Sequence, residues 1–288
     1  MELFQYPYMQ RALIGALIIG LAAPALGIYL VQRRLALIGD GVGHVALTGV
    51  GAGLLLNRSP VLVAVAVATA GAITIELVRA RGRTSGDLAL ALLFYGGIAG
   101  GVTLVGLSDS TSANLNAYLF GSLTTISPQD LTTIAVLGVA IGVTMLALRP
   151  ALFAVCHDEE YARVSGLPVR TLNLLLAVAT AVTVTIAMRA VGVLLISALM
   201  VVPVATAQQV TRGFRSTMTA AMALGLFAAG SGVYVAANAD TAPGASVVLM
   251  AIASFGVVAV LGAVWRVLRR RRTPAAAPAP EPHEVVLH

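Results

Sequence analysis

Long apolar runs fill this chain, and short polar hinges break them. The length of each run, rather than its periodicity, sets the element it predicts. A bilayer core of about 30 Å takes roughly 20 apolar residues of helix, with about 17–25 usual. Nine runs reach or approach that length: residues 12–31, 42–56, 60–78, 88–107, 131–148, 172–188, 191–207, 217–237 and 246–264. Only Arg189-Ala190 separates the sixth from the seventh. The second is the shortest, and it is the one candidate for a re-entrant segment. The predicted fold class is an all-α polytopic membrane protein of about nine transmembrane helices, with eight as the alternative count.

Two hinges are longer than turns. Residues 109–130 hold Leu119-Phe120-Gly121-Ser122, expected as a short interfacial helix or elbow at 119–123. They also hold Ser127-Pro128-Gln129-Asp130, a helix start with proline in its first turn. Residues 149–171 carry the most mixed charge in the chain. Asp158, Glu159 and Glu160 precede a helical turn that Gly166 and Pro168 end. The expected organisation is one membrane domain over 1–272 and a Pro/Ala-rich disordered tail over 273–288.

Composition agrees with the run lengths. The chain is 58% hydrophobic and 10% charged, with mean hydropathy +0.93, against about 25% charged residues in a soluble domain. All 18 basic residues are arginine. Placing the Arg266–Arg272 cluster in the cytoplasm puts every arginine on that side except Arg11, Arg58 and Arg189, provided the chain crosses nine times. The net charge of +6 is thereby an orientation signal and not a nucleic-acid footprint. The single Cys156 excludes an internal disulfide. The first apolar run lacks a basic leader and a small-residue cleavage site, so no cleavable signal is expected.

Candidate chemistry is concentrated in residues 39–53, which hold six glycines together with Asp40 and His44. The i, i+4 spacing puts carboxylate and imidazole on one helical face, one turn apart. An ionisable group in hydrocarbon is penalised by about 2.5–3.5 kcal/mol, so one next to a membrane segment is a functional-site candidate by default. One carboxylate oxygen and one imidazole nitrogen suit a divalent transition metal. In the plainer reading Asp40 caps the helix and His44 bonds to a neighbour. Glu76, Asp87, Asp130 and Asp240 fall near span ends, where solvated or arginine-paired roles are expected. Phosphate-loop, zinc-protease and nucleophile-elbow signatures are absent.

Four segments resemble the transmembrane subunits of prokaryotic zinc/manganese ABC importers. They are residues 9–53, with one span, a basic pair and Gly39-Asp40 leading to His44; Leu119-Phe120-Gly121; residues 158–169; and Gly192–Ala207, Gly-Val-Leu-Leu-Ile-Ser-Ala-Leu-Met-Val-Val-Pro-Val-Ala-Thr-Ala. One departure is visible: the family often has serine before this histidine, where Gly43 stands. The resemblance implies an all-helical permease acting as a homodimer or with a similar permease. It implies Asp40 and His44 from two copies as a transient site for Zn²⁺ or Mn²⁺, with no permanently bound cofactor. It also implies a separate cytoplasmic ATPase docking on Asp158, Glu159, Glu160 and Gly166, and an extracytoplasmic metal-binding protein. The expected location is the prokaryotic cell membrane with the C-terminus cytoplasmic, and ATP hydrolysis is expected outside this chain. The alternatives are a permease for metal chelates such as siderophore or cobalamin, a secondary transporter, which would need coupling-ion residues that the spans lack, and a membrane enzyme using Asp40 and His44.

Overall fold

The computed structural model describes residues 6–80, 86–108, 112–122, 126–193 and 195–272. Twelve helices account for nearly all of them: α1 (Pro7–Gln32), α2 (Ile38–Leu55), α3 (Pro60–Ala80), α4 (Gly86–Leu107), α5 (Ser112–Phe120), α6 (Pro128–Ala147), α7 (Arg149–His157), α8 (Glu159–Val164), α9 (Val169–Ala187), α10 (Ile196–Val210), α11 (Phe214–Ala239) and α12 (Pro243–Arg272). Among the described residues there is no strand. Eight helices are long and apolar enough to cross a membrane on their own, and α10 is a shorter apolar helix.

The centre of the bundle is α1, packed against α6, α9, α10 and α11. Its middle, from Ala22 to Leu30, is buried without interruption. An added Cβ at Gly20 would lie 2.7 Å from the Gly225 carbonyl oxygen, so α1 and α11 meet backbone to backbone. Small residues allow this contact, and dispersion over the touching backbones holds helices together where lipid is as apolar as the helix face. The polar exceptions have local reasons. Ser127 and Asp130 form a reciprocal capping box that starts α6 behind Pro128, as the Ser-Pro-Gln-Asp run predicts. Buried Thr180, Thr183 and Thr185 return their hydroxyls to the carbonyls one turn back.

Three expectations need correction. The second run is no stub: α2 starts at Ile38, four residues earlier than the apolar run, and its 18 residues reach about 27 Å. The elbow is displaced, with α5 ending at Phe120 and Gly121 turning the chain at φ +78°. The seventh run is not helical from residue 191. The chain turns through 188–193, with Gly192 at φ +90°, and α10 begins only at Ile196. Its start lies near Tyr118, whose carbonyl accepts from Val193 N–H at 3.0 Å. Its end leads into Phe214, which packs on Tyr29 at the far end of α1. The 15-residue α10 is a shorter apolar helix beside the eight that are long enough to cross alone, so the described residues give eight candidate spans and α10 as a ninth apolar segment. Of the tail, residues 273–288 lie outside the described residues, while α12 runs on to Arg272.

Candidate metal path and its two ends

Asp40 and His44 occupy the first two turns of α2 and share the face that α4 covers. An added Cβ at Gly97 would lie 2.5 Å from the His44 carbonyl carbon, so the two helices touch there. Thr48, one turn on, donates its hydroxyl to the Gly97 carbonyl at 2.8 Å. The imidazole is buried, and Phe94 packs edge-on against it at 4.3 Å between centroids. Its Nδ1 is buried with no hydrogen-bond partner among the described residues. Asp40 is half-buried and opens onto a cleft of about 270 Å³ bounded by Leu37, Leu90, Ala91, Phe94 and Tyr95. The N-cap of α2 is Leu37, without a side-chain cap bond, and Asp40 lies in the first turn of the helix. No group of three or more His, Cys, Asp or Glu gathers among the described residues.

The opposite face of α2 meets the 188–197 segment. An added Cβ at Gly43 would lie 2.9 Å from a γ-methyl of Val193. The position where the family often places a serine is thus filled here by Val193. An added Cβ at Gly39 would meet the Ser197 hydroxyl at 2.8 Å, and that hydroxyl is buried without a partner.

The Arg11 end of the bundle is closed by backbone. Val193 N–H donates to the Tyr118 carbonyl at 3.0 Å and Ser122 N–H to the Arg189 carbonyl at 3.3 Å. Gly192 packs directly on the backbone of Leu119, Phe120 and Gly121. Arg189 lies 3.6 Å from Asp130 and stacks over the Tyr118 ring at 5.3 Å. Burial raises the Tyr118 phenol pKa above its ordinary value, and the Arg189 charge partly opposes that rise.

The Arg33 end carries the 158–166 segment. Asp158 is the N-cap of α8 and accepts from Tyr161 N–H at 2.9 Å. Gly166 ends it at φ +80°, where its amide donates to Arg163 and the Leu167 amide to Ala162. Glu160, Tyr161 and Val164 face outward, the last 89% exposed. Glu159 and Ala162 face the bundle. Glu159 accepts from Arg33 at 3.1 Å and from Arg163 at 3.3 Å. The other arm of Arg33 donates to Asn173 Oδ1 of α9 at 2.6 Å. Beside them Cys156 is half-buried, and burial pushes its thiol pKa up to about 11, with Arg33 opposing and Glu159 adding. A cavity of about 630 Å³ lies next to this junction, bounded by Glu76, Arg79, Glu159, Arg163, Arg170 and Asn173.

Asp40 and His44 are therefore brought together, while Asp158, Glu159, Glu160 and Gly166 form a separate patch at the bundle's end. Sequence reasoning missed Phe94, Ser197 and Asn173, and gave Arg33 only an orientation role. The one signal for Arg33 was its place beside Arg34 where the first span stops.

A bundle of eight candidate spans and a ninth, shorter apolar helix, with an ionisable pair inside it and a charged helix at one end, is the architecture of a multi-pass membrane protein. The chain belongs to the ABC 3 transport family, whose profile matches residues 5–262. It is 29% identical over 286 residues to the manganese transport system membrane protein MntC of Halalkalibacterium halodurans, covering 96% of this chain and 97% of that one. It is 30% identical over 238 residues to the high-affinity zinc uptake system membrane protein ZnuB of Haemophilus influenzae, covering 83% and 91%. Its fold matches a chain of PsaBC from Streptococcus pneumoniae, solved in complex with Fab, with TM-score 0.80 and 28% identity over 88% and 92% of the two chains.

Proposed function

We propose that this chain is the membrane-spanning permease subunit of an ATP-driven importer for Zn²⁺ or Mn²⁺, with Asp40 and His44 as the ligands its path offers. The observation that carries this is the buried, unpartnered His44 Nδ1 one turn from the Asp40 carboxylate inside a membrane helix. A buried nitrogen with no acceptor or donor is unfavourable unless something occupies it in another state. A divalent ion supplies that partner, and the carboxylate offsets the ion's lost hydration. Mixed N/O ligands without thiolate bind and release, as a transport site must. The names of the relatives point the same way.

Two ligands per chain are too few to replace an ion's water shell, so two copies acting together, with Asp40 and His44 doubled, complete the site. The ion is cargo, and no cofactor is held permanently. ATP hydrolysis belongs to a cytoplasmic partner that docks on the outward face of α8, where Asp158 caps, Gly166 ends, and Glu160, Tyr161 and Val164 are presented. An extracytoplasmic metal-binding protein meets the opposite end, and the Arg33 end with the C-terminus is cytoplasmic. A metal chelate would need a path wider than the cleft beside Asp40.

Asp40→Asn tests the reading, because it keeps shape and removes charge. Uptake of ⁵⁴Mn²⁺ or ⁶⁵Zn²⁺ by proteoliposomes carrying the whole complex should drop at least about tenfold, as loss of a charged ligand removes the main compensation for dehydration. Normal uptake by Asp40→Asn, with the complex assembled, refutes the assignment.

A further inference from the structure

The guanidinium of Arg33 reaches two elements at once, and we propose that Arg33 is the positioning residue through which α8 sets the placement of Asp40 and His44. The inference rests on the transport reading above and adds the path by which the partner-facing helix acts on the metal pair.

Three observations carry it. First, α8 touches the bundle thinly. Of its six residues only Ala162 is buried, packed in the hydrophobic core, and Glu159 is its only side chain with a hydrogen bond or ion pair to a described residue outside α8. Second, Arg33 cannot itself be a docking contact, because its side chain is only 9% exposed. It spends its fork on Glu159 of α8 and Asn173 of α9. Third, the connection from Arg33 to α2 has no slack. Arg33 closes α1, with its amide on the Tyr29 carbonyl, and Arg34 sits in the left-handed region at φ +58°. The Arg34 amide donates to Val31, that of Leu35 to Leu30 at 2.8 Å, and that of Ile38 to Leu35. Five residues, 33–37, thus join the two helices as a hydrogen-bonded corner, and Asp40 is the third residue beyond it.

A displacement of α8 pulls on the Glu159 carboxylate, and the charge-assisted bonds of Arg33 pass that pull to the corner. The corner is braced by its own backbone bonds, so it turns as a body and carries the first turn of α2 with it. Asn173 fixes the other arm of the fork to α9 and gives the motion a reference. Glu76, Arg34, Arg79, Arg163 and Cys156 surround the junction. Among these only Arg163 shares the Glu159 carboxylate, and it belongs to α8 and moves with it.

The test is coupling, measured as metal ions imported per ATP hydrolysed by the full complex in proteoliposomes, with ⁵⁴Mn²⁺ as the probe. Arg33→Gln should assemble with its ATPase partner in normal yield and hydrolyse ATP at a rate close to wild type, while ions per ATP fall about tenfold, the worth of one charge-assisted bond pair. Arg33→Lys should fail nearly as badly, because one ammonium cannot replace a planar fork bonded to two helices. Asn173→Leu removes one arm without unpairing a carboxylate, and it should lower the ratio by a smaller factor. Unchanged ions per ATP in Arg33→Gln, or full rescue by Arg33→Lys, overturns the proposal. Uptake that falls only in step with assembly also overturns it, since that is the behaviour of a packing residue. If Arg33→Gln does not assemble, an unchanged ratio in Asn173→Leu overturns it. Failure of the transport reading is distinct: there the wild-type complex imports no metal, or Asp40→Asn imports as well as wild type.

Discussion

The two ends of this bundle are closed by different chemistry. At the Arg11 end the seal is largely backbone, with Arg189 beside Asp130 and over Tyr118: the Tyr118 carbonyl on the Val193 amide, the Arg189 carbonyl on the Ser122 amide, and Gly192 pressed on residues 119–121. At the Arg33 end the seal is side chain: one guanidinium, one carboxylate and one amide from three helices. A backbone seam has no alternative rotamer and cannot loosen by degrees. A side-chain junction can change partners, because Glu159 is already 40% exposed. The contrast suits a molecule whose one end must stay shaped and whose other end must respond to a partner.

The largest effect should come from breaking the backbone seam. Gly192→Ala puts a side chain at φ +90° and drives its Cβ into the Phe120 backbone. The backbone conformation alone costs about 1–3 kcal/mol, and the overlap has no flexible atom to yield. Thermal unfolding in detergent should show a loss of several degrees, and uptake should vanish. Gly166→Ala is the control at the other end. It has nearly the same φ, +80°, but nothing lies within reach of the added Cβ, so it should lose only about 1 kcal/mol. Equal losses at the two sites would mean that the seam is no tighter than an open turn.

Next comes the division of labour within α8. Glu160→Lys should weaken association with the ATPase partner, because charge complementarity governs docking, while leaving the thermal midpoint within about a degree, as exposed charges add little to stability. Glu159→Lys should instead set a cation against Arg33 and destabilise the isolated permease. Affinity measured by titrating the ATPase, together with the midpoint, separates the two. If both substitutions act only on affinity, Glu159 belongs to the docking face and not to the junction.

The smallest effect concerns the only cysteine. With its thiol pKa raised to about 11 by burial, Cys156 stays protonated at neutral pH, and a maleimide should label it more slowly in the folded protein than in the unfolded one. The folded value lies above the ordinary one of 9.0. The protonated form is therefore favoured by folding, with that contribution full below about pH 9 and lost as pH rises through 11. Arg33→Gln removes the charge that lowers this pKa, so labelling should become slower still if the junction keeps its packing. Faster labelling would report that the junction has opened.

Much of this was legible in the residues. Eight of the nine apolar runs are helices long enough to cross a membrane, as run length predicts, since hydrocarbon thickness is a constraint each segment meets by itself. The Ser127–Asp130 start of α6 and the Gly166 stop were legible because caps are settled within four residues. The Asp40–His44 pair stood out because ionisable groups are rare in apolar runs. The start of α10 was not legible. Residues 191 and 193 are as apolar as the helix that follows, yet the chain turns there, where Gly192 packs on the backbone of residues 119–121, 71 to 73 positions earlier.

By itself, then, the sequence determined what is local: the apolar spans, the caps, the family resemblance and the candidate pair Asp40 and His44 at helical spacing. The tertiary structure decided which partners those residues have. It put Phe94 against His44, Val193 in the place of a serine hydroxyl, and Arg33 between residues 126 and 140 positions away. The physical reason is range. Hydropathy and capping are read within one segment, whereas a hydrogen bond between distant helices exists only once packing has brought both to the same place.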